Sequence, residues 1–236
     1  MFAFRGSIGP VDLAFTDRIG GVSAAPFDEL NLAVGSVDPS VPANIELVRA
    51  AFGPGDAWVH LRQVHGSQVH RADAVREDLP KADGVVATAL GLTLSVRAAD
   101  CVPVLFADPE RRVIGAAHAG RAGVVAEVVV KTVRAMGELG AERIQAWIGP
   151  YVCGSCYEVP ADLQESVVAA VPSTLATTSW GTPALDLGAG LRTQLEDLDV
   201  EVHDESRCTR ESLDLYSYRR DGASAGRHVG IIRLRS

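Results

Sequence analysis

Short runs of apolar and β-branched residues, crowded between positions 84 and 117, constrain this chain more than any other feature. Residues 84–87, 92–96, 102–106 and 113–117 each read as a strand bounded by turn signals, and 11–15 reads as another. After position 117 the periodicity changes. Val125, Val128, Val129, Val133 and Met136 recur at helical spacing, with Glu127 and Lys131 as an i,i+4 pair on the other face. The pattern predicts one helix over 122–136, ended by Gly137 and Gly140. A strand follows at 144–148, and Pro160 opens a helix to 171 with Asp162 in its first turn. A further helix is expected over 187–198, then a strand at 200–203. Strands gathered before helices, with some alternation later, predict an α+β fold and not a regular βαβ series. With no repeat, linker or composition shift, residues 1–236 are expected to form a single domain.

Hydrophobic residues make up 47% of the chain and charged residues 22%, which suits a packed core and excludes disorder. The net charge of −8, with scattered basic residues, argues against nucleic acid as a partner, because phosphate contacts need a basic face. The apolar stretches fall well short of the ~20 residues that cross a bilayer, and the first residues lack a secretory pattern. A cytoplasmic location without membrane contact is the expectation. Cys101, Cys153, Cys156 and Cys208 are too unevenly placed for a disulfide framework.

Three segments could carry chemistry. Leu-Arg-Gln-Val-His-Gly ends a strand-like approach with His65 at a glycine turn, Ala-Asp-Cys-Val-Pro places Cys101 at the mouth of a strand, and Ala-Ala-His-Ala-Gly puts His118 between strand and helix. Two imidazoles and one thiolate suit Zn²⁺, with Cu²⁺ as the alternative, and three protein ligands leave a fourth position open. Asp100 or Gln63 could orient one imidazole from behind. The long, irregular spacings match no short metal motif. A metal-free reading, with Cys101 as nucleophile and His118 or His65 as base, uses the same residues; a third reading is a non-catalytic binding module. Glu158 is a candidate general acid–base. Cys153-Gly-Ser-Cys156 lacks a second cysteine pair and reads as a turn. His60 and His70 flank His65 at intervals that fit neither a helix face nor a strand face, so both read as surface or packing residues.

Eight segments occur in one order: FTDRIGGVS with LNLA, RQVHG, ADGVVAT, ADCVPVLFADP, IGAAHAG, IGPYVCGSCYEV and SYRRDG…GR. Together they resemble the YfiH/LACC1 family of multicopper-polyphenol-oxidase-like proteins, regarded as purine nucleoside phosphorylases. The resemblance implies zinc on His65, Cys101 and His118, and a layered α/β/β/α sandwich of the cysteine-hydrolase-like type. It also implies small-molecule partners: a purine nucleoside (adenosine, inosine or methylthioadenosine) and phosphate, with adenosine deamination as a further activity. Some members are linked instead to editing of peptidoglycan precursors. On this reading Cys101, Asp100 and Glu158 are catalytic candidates, and Gln63, Arg121 and Arg227 bind substrate or anion. Two departures stand out. The family's HAGWRG reads HAGRAG, with Arg121-Ala122 in place of Trp-Arg, and its Asn-Arg reads Asn44-Ile45. Arg121 is expected to open the 122–136 helix, whose N-terminus would favour an anion.

Overall fold

The computed structural model describes residues 1–74 and 79–235. In chain order the strands and helices begin with β1 (Phe2–Ile8), β2 (Val11–Thr16), α1 (Val41–Phe52), β3 (Ala57–Val59), β4 (Val69–Arg71) and β5 (Gly84–Ala87). There follow β6 (Leu92–Ala98), β7 (Val102–Asp108), β8 (Val113–Ala119), α2 (Arg121–Val125), α3 (Val128–Glu138), β9 (Gln145–Ile148) and α4 (Ala161–Ala170). The chain closes with β10 (Leu175–Thr177), β11 (Pro183–Leu185), α5 (Leu187–Glu196), β12 (Glu201–Asp204), α6 (Tyr218–Asp221) and β13 (His228–Leu234).

Two sheets form this mixed α+β architecture. One runs β1-β2-β13-β6-β3, the other β12-β9-β7-β8-β5-β4, and β10-β11 is a separate ribbon. Their inner faces share a core built from Leu13, Phe15, Leu94 and Ile232 on one side and Val85, Leu105, Ile114 and Trp147 on the other. The outer face of the six-stranded sheet packs Val104 and Phe106 against Val129, Met136 and Leu191 of α3 and α5. On the outer face of the five-stranded sheet, Val48 and Phe52 of α1 meet Trp58 and Ile231. Strands β7 and β8 are therefore buried on both faces, which is why they read as unbroken apolar runs. Phe106 is fully buried; truncation to Ala there would cost about 3–5 kcal/mol.

The expected helix over 122–136 is two helices. Glu127 sits in the left-handed region (φ 60°) and separates α2 from α3. Glu127 caps α3, its carbonyl accepting the Lys131 N–H at 3.0 Å, while the Lys131 Nζ donates to Ser67 Oγ at 2.6 Å and not to the Glu127 carboxylate. Gly137 lies inside α3, and Val125 is exposed rather than on the buried stripe. Asn44 and Ile45 lie within α1. The buried Asn44 amide donates to Ser23 Oγ and to the carbonyls of Glu29 and Asn31, and its Oδ1 accepts from Val22 N–H. Its role is to fasten the 17–38 segment to α1. No described helix is long and apolar enough to cross a membrane.

Candidate functional site

Strand register brings the reactive side chains together. In the β7–β8 pair Val102 faces Ala119 and Pro103 faces His118, so Cys101 and His118 emerge at one end. In the β5–β8 pair Gly84 faces Ala117, which sets Asp83 beside His118. The turn carrying His65 precedes β4, whose Val69 pairs with Gly84. His65, Cys101 and His118 each offer a ligand atom, and these atoms lie within 4.8 Å of one another. His65 Nδ1 is 4.0 Å from Cys101 Sγ.

Asp83, fully buried, organises two of the three. Its carboxylate accepts backbone N–H bonds from Val64 (3.1 Å), His65 (3.0 Å) and Gly66 (2.7 Å), and Oδ1 lies 2.9 Å from His118 Nδ1. Burial alone would raise the Asp83 carboxyl; the bonds from His118, Gly66 and Val64 outweigh it and hold the group below the usual carboxylate range. An ionised carboxylate only accepts, so Nδ1 of His118 carries the proton and Nε2 of the neutral ring keeps its lone pair. Burial keeps His118 below the ordinary imidazole value, opposed by Asp83, so the contact joins an anion to a neutral ring. The sequence offers Asp100 or Gln63 as the group that could orient one imidazole; at His118 that group is Asp83. Asp100 accepts from Thr209 Oγ1 (2.7 Å) and from Arg219 N–H (2.6 Å). Gln63 clasps the backbone of Arg97, donating to its carbonyl at 2.8 Å and accepting its N–H at 2.9 Å.

Two site residues have unusual backbone conformations. His65 (φ 58°) and Asp100 (φ 87°) both occupy positive φ, where non-glycine residues are uncommon. Gly120 completes the cradle: a Cβ at this position would lie 2.5 Å from His65 Nδ1 and 3.2 Å from Cys101 Sγ. Only glycine allows that approach. Burial, helped by repulsion from Asp100, pushes the Cys101 thiol up to about 12.

The three side chains line a cleft of about 1020 Å³ together with Gln63, Arg97, Asp100, Tyr157, Tyr218, Arg219 and Arg227. Arg97 is the penultimate residue of β6 and Arg227 precedes β13, and these strands pair with His228 against Ala98. Arg97 Nη2 donates to Leu61 carbonyl at 2.6 Å, whereas its buried Nη1 has no partner among the described residues. Burial first, then the neighbouring Arg227, lowers the Arg97 guanidinium to about 10. Arg227 Nη1 binds the carbonyls of Ala225 and Gly226. Two like charges thus share one wall.

Other candidates lie elsewhere. Glu158 is exposed and accepts from Trp180 Nε1 at 2.8 Å, outside the cleft lining. Arg121 begins the five-residue α2 and does not line the cleft, so an anion would meet Arg97 and Arg227 instead. Ile45 lines a neighbouring groove with Val41 and Pro42. His60 bonds Ser95 Oγ, and His203 stacks on Trp147. Asp83 and Arg97 were missed because an isolated Asp or Arg in a strand-rich stretch carries no local signal.

A family model described as "Multi-copper polyphenol oxidoreductase laccase" matches residues 12–235. A purine nucleoside phosphorylase of Streptomyces coelicolor is 50% identical over 244 aligned positions, covering 99% of this chain and 100% of that one. The crystal structure of a Neisseria meningitidis protein superposes with a TM-score of 0.88 at 30% identity, covering 99% of each chain. That of Bacillus licheniformis YfiH superposes at 0.85 with 27% identity, covering 95% of this chain and 93% of that one.

Proposed function

Because the chain belongs to the multi-copper polyphenol oxidoreductase laccase family, the YfiH/LACC1 family, we propose that it is a zinc-dependent purine nucleoside phosphorylase acting on adenosine, inosine or methylthioadenosine. The observation that carries the phosphorolytic reading is the pair Arg97 and Arg227 beside His65, Cys101 and His118.

The donor set fits zinc: two imidazoles, one thiol, a ring fixed by Asp83 and a glycine that leaves room. His65, Cys101 and His118 would hold the ion, which supplies Lewis acidity and one open position when bound. Copper accepts similar ligands. Several copper ions would need several imidazole sets, and among the described residues only one metal-competent group contains histidine.

The chain's own groups do the rest. Arg97 and Arg227 neutralise and orient phosphate for attack on the sugar's anomeric carbon, with Arg97 Nη1 as a free donor. Tyr218, 54% exposed on the cleft wall, offers a flat face for the purine. Deamination needs a carboxylate to shuttle protons at the ring. Asp100, the only carboxylate among the described lining residues, has both oxygens bonded, which favours phosphorolysis. A cysteine-hydrolase mechanism, to which the layered sandwich invites comparison, is disfavoured by a Cys101 thiol held near 12.

Product analysis with and without phosphate tests the proposal. Free base and ribose 1-phosphate should form only with phosphate. Ammonia released at equal rates in both would transfer the assignment to deamination.

A further inference from the structure

Cys153, Cys156, Cys208 and Glu211 form a second cluster, remote in sequence from His65 and His118, with ligand atoms within 4.8 Å of one another. Two turns build it, each supplying its first and fourth residue. In Cys153-Gly-Ser-Cys156 the N–H groups of Cys156 and Tyr157 both donate to the Cys153 carbonyl, at 2.9 and 3.0 Å. In Cys208-Thr-Arg-Glu211 the Ser212 N–H donates to the Cys208 carbonyl at 3.0 Å. A parallel bridge between Tyr151 and Cys208 docks the turns, with Thr209 N–H on the Tyr151 carbonyl at 3.0 Å. Cys153 N–H donates to Cys208 Sγ at 3.5 Å, and Cys156 Sγ lies 3.3 Å from Glu211 Oε1.

We propose that Cys153, Cys156, Cys208 and Glu211 bind a structural Zn²⁺, closed by four protein ligands and separate from the cleft site. Three thiolates and a carboxylate complete a tetrahedral zinc shell with no position left for substrate. The N–H donated to Cys208 Sγ is the kind of bond that stabilises a bound thiolate. An odd number of sulfurs leaves a disulfide one thiol over.

Such an ion would clamp the 151–159 segment to the 207–212 turn. Both reach the cleft: Tyr157 lines it, Thr209 bonds Asp100 beside Cys101, and Arg219 donates to the Glu158 carbonyl and stacks over Tyr157. The ion would therefore brace one wall of the cleft. This inference does not depend on the nucleoside reading.

The test uses the full chain carrying His65→Ala and His118→Ala, which disables the cleft set. Elemental mass spectrometry is expected to find about one zinc per chain, and about two in the unsubstituted protein. Cobalt exchanged into the double variant should show charge-transfer absorption of three thiolates, and adding Glu211→Gln should weaken retention against a chelator. Adding Cys156→Ser should abolish it. A double variant that is folded and metal-free, or that has lost two hydrogens to a disulfide among these cysteines, overturns the proposal.

Discussion

Asp83 Oδ1 lies 2.9 Å from His118 Nδ1, and the same carboxylate receives the backbone N–H groups of residues 64 to 66. One buried charge thereby fixes both a ring tautomer and the turn that carries the second imidazole. Asp83→Asn keeps the shape but removes the anion. Zinc affinity, measured by chelator competition, should fall about 10–100-fold. Unchanged affinity would show that Asp83 does not support the metal ligands.

Gly120 tests the cradle. Gly120→Ala sets a methyl group 2.5 Å from His65 Nδ1, so metal binding should be lost while the circular dichroism spectrum persists. Gly137→Ala is the control. Nothing lies within 4 Å of its added Cβ inside α3, so stability should rise by about 0.5–1 kcal/mol with metal binding intact.

The arginine pair predicts a split in kinetic constants. A charge-assisted hydrogen bond contributes about 1.5–3 kcal/mol, so Arg227→Gln should raise KM for phosphate by about 10–100-fold. KM for nucleoside should stay near its original value. Glu158→Gln, at an exposed position bonded to Trp180, should leave both constants within about twofold. A large loss of kcat in that variant would restore Glu158 as a catalytic group.

Much of the fold was legible and much of the site was not, for physical reasons. Strands β5 to β8 are buried on both faces, so their apolar runs announce them. Helix α1 buries only Val41, Asn44, Val48 and Phe52, a thin stripe broken by an amide that periodicity overlooks. Strand β13 is apolar enough to read, yet its insertion between β2 and β6 is a long-range pairing that no local pattern encodes. Glu127 adopts a left-handed conformation that its side chain does not advertise, hence the undetected break between α2 and α3. His65, Cys101 and His118 were found through motif order. Their supporters Asp83 and Arg97 became visible only through strand register, and the second half of the cysteine cluster, Cys208 and Glu211, only through the docking of two turns.

His60 gives a pH signature. Its Nδ1 lies 3.0 Å from Ser95 Oγ, and burial, with Arg97 and Arg49 nearby, lowers the imidazole from 6.5 to about 4. The unfolded chain therefore takes up the proton first. Stability from this group is complete above about pH 6.5 and declines as pH falls towards about 4, with no further loss below. Urea midpoints at pH 7 and pH 4.5 should drop more for the parent protein than for His60→Gln. Equal drops would contradict the assignment.

His65, Cys101 and His118 are expected to hold one zinc ion in the cleft, with Asp83 behind them. Anomalous diffraction across the zinc edge, from crystals of protein purified without added metal, tests it most directly. A peak is expected within about 2.0–2.3 Å of the two imidazole nitrogens and of Cys101 Sγ, with His118 bound through Nε2. Density showing the three side chains apart, with no anomalous scatterer between them in catalytically active protein, would contradict it.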